Sequence, residues 1–209
     1  MKTKLFVIVC LCCLGSLSLS AQQVDRLFTS VPSRVLSMLD KTARLDMIDL
    51  YNNNMKAVAE NVYGGQSVME EKSDDYISIR LTDVSLWQMK LFPLSHDTLI
   101  VCVHTIASPA QSSTIQGYHH DWGQAKVDFP QPTFEQFFIQ KEVVKQSRHA
   151  EIVELLRVMP ITITLSRNQP SITYSISQSS LPLEMKESAA AMTKSLTYTW
   201  QAGKFVSQK

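Results

Sequence analysis

The stretch TLIVCVHTI, residues 98–106, is almost entirely apolar and rich in β-branched side chains. A run of this kind, without alternation of polar and apolar residues, is typical of a central β-strand that is covered on both faces. The turn-forming segment SPAQSS, residues 108–113, follows directly. Because such a segment reverses the chain, TIQGYHHDW (114–122) is predicted to return as the antiparallel partner of the central strand.

Two segments upstream alternate between apolar and polar residues, YISIRLT (76–82) and WQMKL (87–91). Successive side chains of a strand point to opposite faces, so each segment predicts a half-buried antiparallel strand. In the second segment, Gln88 and Lys90 are expected on the solvent side. The short connection at residues 82–85 predicts a hairpin.

Alternation returns downstream in PITITLSR (160–167) and PSITYSIS (170–177). Their apolar residues fall on one side of each strand, and serine and threonine fall on the other, which is expected to face water. LTYTWQAGKFV (196–206) is predicted to form a final hairpin that turns at Ala202 and Gly203.

Helices are predicted by apolar residues at steps of three and four. In the N-terminal region these residues are Leu36, Leu39, Ala43, Met47 and Leu50. Asp40 or Thr42 can begin a second helix, so this region holds either one helix or two short ones. Further helical structure is predicted within residues 133–157 and in the alanine-rich segment from Leu183 to Met192.

These elements predict an α+β fold, mainly of antiparallel sheet with helices packed on one face. Residues 130–133 have the composition of a connector, which divides the chain into an N-terminal α+β half (22–129) and a C-terminal α+β half (130–209). Each half runs helix, hairpin and hairpin. Two tandem helix-plus-sheet halves, arranged as in β-lactamase-inhibitor-like proteins, are therefore one expectation, and one continuous domain is the other.

The N-terminus has the features of a secretory signal peptide at residues 1–21: Lys2 and Lys4, an apolar run from Leu5 to Leu14, and small residues up to Ala21. The run is shorter than the roughly 20 residues that span a bilayer. Cleavage is expected after Ser20 or Ala21. The sequence thus predicts a periplasmic or secreted protein without a membrane span after cleavage.

Composition narrows the class of protein further. Three of the four cysteines precede Leu14, so Cys102 is expected to be a buried apolar residue that forms no intramolecular disulfide. Removal of Lys2 and Lys4 leaves 18 basic residues against 19 acidic ones. Without a basic excess, nucleic acid is not an expected partner.

The motif GYHHDW, residues 117–122, is the strongest candidate for chemistry. If the strand stays extended through it, His119 and Asp121 share one face and are candidate metal ligands, with His104 of the partner strand as a third. Tyr118, His120 and Trp122 then share the other face and form a candidate interaction surface. The interpretation that the residues favour over both is a strand end, in which Asp121 opens a turn before Gly123.

No nucleophile elbow, phosphate loop or dinucleotide fingerprint occurs in the chain, so no catalytic residue and no cofactor is predicted. The sequence favours a non-catalytic protein over an enzyme. A metal-dependent or histidine-assisted hydrolase that uses residues 118–122 is the alternative.

Four blocks carry a resemblance to a known family: PxxxLxxLxxxxRxDMIDLY from Pro32 to Tyr51, DYISIRL (75–81), HTIASPAQSSTIQGYHHDW (104–122) and TYTWQAGKFV (197–206). The chain resembles an uncharacterised family of secreted Bacteroidales proteins that is classified as a domain of unknown function. The resemblance implies an α+β fold and a location in the envelope or outside the cell. The family offers no catalytic or binding residues that could be transferred.

With this resemblance, the expected function is a binding or interaction module of the bacterial cell envelope, with a protein or glycan as its partner. A structural or assembly factor of the envelope is a further alternative.

Signal cleavage gives the first test. Mass spectrometry of the exported protein should find an N-terminus at Ala21 or Gln22, because small residues precede both bonds. A chain expressed without residues 1–21 is the control and should stay in the cytoplasm. An exported chain that keeps Met1 would contradict the prediction.

Overall fold

The computed structural model describes residues 23–95, 97–139 and 149–208. The predicted signal peptide lies outside these ranges. Within them, ten strands form two antiparallel sheets of six and four strands, accompanied by four α-helices. The predicted α+β fold with mainly antiparallel sheet is confirmed. No helix in the described part of the chain is long and apolar enough to cross a membrane.

The chain forms two compact units, one up to Thr82 and one from Asp83 onward. The N-terminal unit contains two helices and three strands, in which β2 pairs with both β1 and β3. Its elements are α1 (23–29), α2 (Lys41–Asn52), β1 (Val58–Glu60), β2 (Gln66–Lys72) and β3 (Tyr76–Thr82).

The C-terminal unit begins with three strands in which β5 lies between β4 and β6, and it ends with a four-stranded sheet of order β10-β9-β8-β7. Its strands are β4 (Ser85–Pro93), β5 (Thr98–Ala107), β6 (Gln111–Tyr118), β7 (Ile161–Leu165), β8 (Ser171–Ile176), β9 (Leu196–Gln201) and β10 (Lys204–Ser207). Its helices are a 3-10 helix (Phe134–Phe137), α3 (His149–Arg157) and α4 (Leu183–Met192).

The central strand is β5, as predicted. Residues 99–103 are all buried, and β5 pairs with a neighbour on each side. Its hairpin with β6 turns between Ala107 and Gln111, so the expected partner strand is also confirmed. Cys102 lies in this strand and is 5% exposed, which confirms that it is a buried apolar residue.

The N-terminal helix begins later than a single-helix pattern predicts. Asp40 is the N-cap of α2, and its Oδ1 accepts a hydrogen bond of 2.8 Å from the Ala43 amide. Leu36 and Leu39 are buried, but turns rather than a helix place them there. The single long helix is therefore wrong. Of the two short helices in the alternative, only the one that Asp40 caps is present.

The expected solvent face of β4 is also wrong, because Gln88 and Lys90 are buried. The second sheet covers this face. Gln88 Oε1 accepts a hydrogen bond of 3.3 Å from the Leu165 amide, and Lys90 Nζ donates to the Arg167 carbonyl at 3.2 Å. The alternating pattern shows which side chains are polar, but it does not show whether they face solvent. Here both are buried, and hydrogen bonds to the protein replace those to water.

The register of the four-stranded sheet confirms its predicted apolar side. The apolar pairs between β7 and β8 are Ile161 with Ile176, Ile163 with Tyr174, and Leu165 with Ile172. On the other side, the Thr173 and Thr197 hydroxyls lie 3.0 Å apart across the strands. The final hairpin turns at Ala202 and Gly203, whose φ angles of 48° and 83° place both residues in the left-handed region.

The remaining predictions are met in part. The 3-10 helix and α3 lie within residues 133–157, whereas residues 140–148 are outside the described ranges. Helix α4 has the predicted bounds. The first predicted half contains six strands, and the second contains four with α4 between β8 and β9. The boundary at residues 129 and 130 and the two tandem halves stay predictions.

Gly117 in β6 provides a stability test. A Cβ at this position would lie 2.6 Å from Val127 Cγ2, so Gly117→Ala should lower the free energy of unfolding by about 1–3 kcal/mol. Urea denaturation measures the change. Val127→Ala removes the contacting methyl. Gly117→Ala should therefore lower the free energy of unfolding less in a Val127→Ala background than in the unaltered protein. Equal losses in both backgrounds would contradict the steric explanation.

Candidate functional site

The motif GYHHDW contains the last two residues of β6 and the turn that follows them. β6 ends at Tyr118, and the chain reverses so that Tyr118 forms a bridge with Gln124. The His119 amide donates to the Gly123 carbonyl at 2.8 Å. Neighbouring side chains of the motif therefore do not alternate between two faces, so the extended-strand interpretation is wrong and the strand-end interpretation describes the motif.

Asp121 and Trp122 shape this turn. Asp121 Oδ1 accepts a hydrogen bond of 2.8 Å from the Gly123 amide, which confirms that Asp121 opens the turn. Trp122 has a φ of 66°, which is uncommon for a bulky residue. Its ring lies 5.5 Å from the Tyr118 ring, centroid to centroid, and only 3% of Trp122 is exposed.

The predicted interaction surface is consequently reduced to one residue. Tyr118 and Trp122 are buried and pack against each other, so the prediction is wrong for both. The side chain of His120 is 65% exposed.

The turn brings both histidines to one carboxylate, that of Asp97. His120 Nδ1 lies 2.8 Å from Asp97 Oδ1, and His119 Nδ1 lies 3.3 Å from Asp97 Oδ2. Each oxygen of the carboxylate thus faces one imidazole. This arrangement fixes the orientation of both rings and directs their Nδ1 atoms inward to Asp97.

Hydrogen bonds lower the pKa of Asp97. The main cause is the bond from the Thr98 amide to Oδ1, at 2.7 Å. Burial is the next largest effect and raises the pKa, whereas the contacts with His120 and His119 are individually smaller and lower it. Asp97 therefore stays ionised to a lower pH than an ordinary aspartate.

The three candidate metal ligands do not come together. His104 pairs with Thr114 on β6, and His119 follows the end of that strand at Tyr118, which lies four residues beyond Thr114, about 13 Å at the usual rise. His104 Nε2 instead lies 2.8 Å from Ser85 Oγ, and burial lowers its pKa. Asp121 is engaged in the turn. Within the described ranges, no three His, Cys, Asp or Glu side chains form a group that could hold a metal ion.

A cavity of about 140 Å³ lies beside the turn, between it and the β9–β10 hairpin. We call it the His119 cavity. Its apolar lining comes from Leu94, Leu99, Ala125, Val127, Trp200 and Gly203, and its polar lining from His119, Lys126, Asp128 and Lys204.

Trp200 forms a rigid wall of the His119 cavity. Its Nε1 donates to the Pro93 carbonyl at 2.9 Å, and its ring packs against Phe92 and Phe205 with centroid distances of 5.6 and 4.8 Å. Lys126 and Lys204 contribute two positive charges to the lining and Asp128 one negative charge, so the lining has an excess of positive charge. It can hold a compact acidic group.

Cys102 is not a nucleophile for such a site. It is buried in β5, and burial raises the pKa of its thiol.

The sequence interpretation missed Asp97, Trp200 and Lys204. A signal for Asp97 was present, because a β5–β6 hairpin that turns near residue 109 places Asp97 beside the His119 turn. No local pattern in the sequence indicates that the β9–β10 hairpin, with Trp200 and Lys204, lies beside the His119 turn, because that position depends on packing between the sheets.

The fold and the site define an antiparallel α+β protein that carries a small, positively charged cavity at the ends of two hairpins. Residues 16–205 match the family described as "Protein of unknown function (DUF3256)", and the chain belongs to this family.

A solved structure, titled "Structure of a domain of an uncharacterized protein from Porphyromonas gingivalis W83", is similar over 89% of this chain and 98% of its own. The TM-score is 0.71 and the sequence identity is 25%. The expected resemblance to an uncharacterised Bacteroidales family is thereby confirmed. No curated protein matches the chain at a significant level.

The hydrogen bonds of Asp97 predict a pH-dependent stability. A lowered pKa stabilises the fold above the ordinary value near 4, and this contribution disappears as the pH falls through the lowered value. Asp97→Asn should therefore cost about 1 kcal/mol at pH 7 and progressively less below pH 4. Urea denaturation between pH 7 and pH 3 measures the difference. Asp128→Asn, at an exposed position, is the control. If the cost of Asp97→Asn does not change with pH, the prediction is wrong.

Proposed function

We propose that this protein is an exported, non-catalytic binding module of the cell envelope and that the His119 cavity receives an acidic side chain of a partner protein. The observation that carries this proposal is the lining of the cavity. The lining is apolar apart from two lysines, a histidine and one aspartate, so its net positive charge and apolar surface match a carboxylate on a short apolar stem.

The size of the cavity favours a side chain over a sugar ring. Its volume of about 140 Å³ equals that of about five water molecules in the liquid. A glutamate side chain has five heavy atoms, whereas a uronic acid has more than twice as many. A protein partner is therefore preferred to a glycan partner.

The wall of the cavity supports binding without rearrangement. Trp200 is held by a hydrogen bond and by two aromatic neighbours, so its position is fixed before a ligand arrives. Preorganisation of this kind reduces the entropy lost on binding. The export of the protein is supported by the N-terminal sequence alone, and the hydrolase and assembly-factor alternatives stay predictions.

Charge reversal at the rim tests the proposal. N-acetyl-L-glutamate amide is titrated into the 15N-labelled full chain, and the amide signals of the cavity are followed by NMR. Lys204→Glu should weaken binding about tenfold, because it replaces an attractive charge at the cavity with a repulsive one. Lys194→Glu makes the same change at an exposed lysine outside the lining and should leave binding unchanged.

Two further probes define the ligand. N-acetyl-L-glutamine amide lacks the negative charge and should bind more weakly than the glutamate compound. D-glucuronate tests the glycan partner. Tighter binding of glucuronate would overturn the preference for a protein side chain, and saturable binding of none of the three would overturn the site.

A further inference from the structure

A second cavity, of about 530 Å³, lies within the N-terminal unit, beside the first turn of α2. We call it the Arg44 cavity. Its donors include the hydroxyls of Ser33 and Ser37 and the cationic side chains of Lys41 and Arg44. Ser33, Ser37 and Lys41 are exposed, whereas Arg44 is only 5% exposed. The cavity therefore combines one buried cation with donors that solvent can reach.

The guanidinium of Arg44 is only partly satisfied by the chain. Nη1 donates to the Val31 carbonyl at 2.5 Å, which ties the segment after α1 to α2. Nε is buried and has no hydrogen-bond partner among the described residues. A buried donor without an acceptor destabilises the fold, and more strongly when it belongs to a charged group. An acceptor at Nε would relieve that destabilisation.

The positive charge of Arg44 also has no direct counter-ion among the described residues. In the described part of the chain, no carboxylate lies within 4.0 Å of the guanidinium nitrogens. Asp40 acts on Arg44 from a greater distance, and its Oδ1 accepts the Ala43 amide. Burial lowers the pKa of Arg44 and Asp40 raises it, but a guanidinium stays protonated at neutral pH. The cavity thus has a permanent positive charge facing it from α2.

We propose that the Arg44 cavity binds an oxyanion, the phosphate or carboxylate group of a small molecule, at the guanidinium group of Arg44. The Lys41 ammonium and the Ser33 and Ser37 hydroxyls provide further donors from the lining. Arginine suits this role because its planar N–H groups match the oxygens of phosphates and carboxylates. Asp40 also lines the cavity and selects against highly charged anions.

NMR of the arginine side chains tests this site directly. Sodium phosphate is titrated into the 15N-labelled full chain at constant ionic strength, with sodium chloride as the replaced salt, and the Arg44 Nε–H signal is followed. A saturable shift of this signal is expected. Arg80 is an internal control, because its Nε already donates to Glu70 Oε1 at 2.8 Å and its signal should not move. A sodium acetate titration in parallel distinguishes a phosphate from a carboxylate ligand.

The variant Arg44→Lys separates binding from folding. Lysine keeps the positive charge and can still donate to the Val31 carbonyl, but it lacks the Nε–H edge. Binding, followed at the amides of Ser37 and Lys41, should weaken about tenfold or more. If this variant does not fold, the titration of the unaltered chain decides alone.

A linear response without saturation in both phosphate and acetate, or an Arg44 signal that responds to chloride equally, would overturn the proposal. Equal affinity in Arg44→Lys would also overturn it. The test is independent of the His119 cavity, since Lys204→Glu should leave phosphate binding unchanged.

Discussion

Two hydrogen bonds at the edge of β7 hold the second sheet against the strands β4 and β6. The amides of Ile163 and Leu165 donate to Ser113 Oγ and Gln88 Oε1. An edge strand exposes unpaired amides, which are costly when buried. Side chains from the other sheet satisfy them here, so burial of this edge is possible. With β7 in place, β9 can follow in the same sheet, and Trp200 reaches the Pro93 carbonyl at the end of β4. The His119 cavity exists because of this contact.

The same packing explains which parts of the fold could be predicted from the sequence. β5, α4 and the final hairpin follow from local composition, periodicity and turn residues, and all three were predicted correctly. Gln88 and Lys90 were assigned to solvent because they are polar and alternate with apolar residues. Their burial depends on β7, which is more than 70 residues away in the sequence. No local pattern contains that information.

The candidate site also shows that a local sequence pattern does not determine which side chains come into contact. GYHHDW attracted a metal hypothesis because its polar residues are consecutive, but a turn determines where each side chain points. Asp121 is engaged by the turn itself, and the two histidines meet Asp97 rather than His104. The hairpin register could have suggested Asp97, because it fixes which residues are opposite each other. The contribution of Trp200 and Lys204 could not be predicted, because it requires the position of the second sheet.

Asp97 and Arg44 differ in how far the described residues compensate their charges. The Asp97 carboxylate is matched within the chain by the Thr98 amide and two imidazoles, so the histidine pair needs no further partner at its Nδ1 atoms. Arg44 is more deeply buried, yet its Nε has no acceptor and its charge has no adjacent carboxylate in the described part of the chain. Since desolvation makes an uncompensated buried charge expensive, a protein keeps one where a ligand or a fold constraint requires it. The bond to Val31 meets the fold constraint with Nη1 alone. Among the described residues, Arg44 is therefore the charged group that is left for an external acceptor.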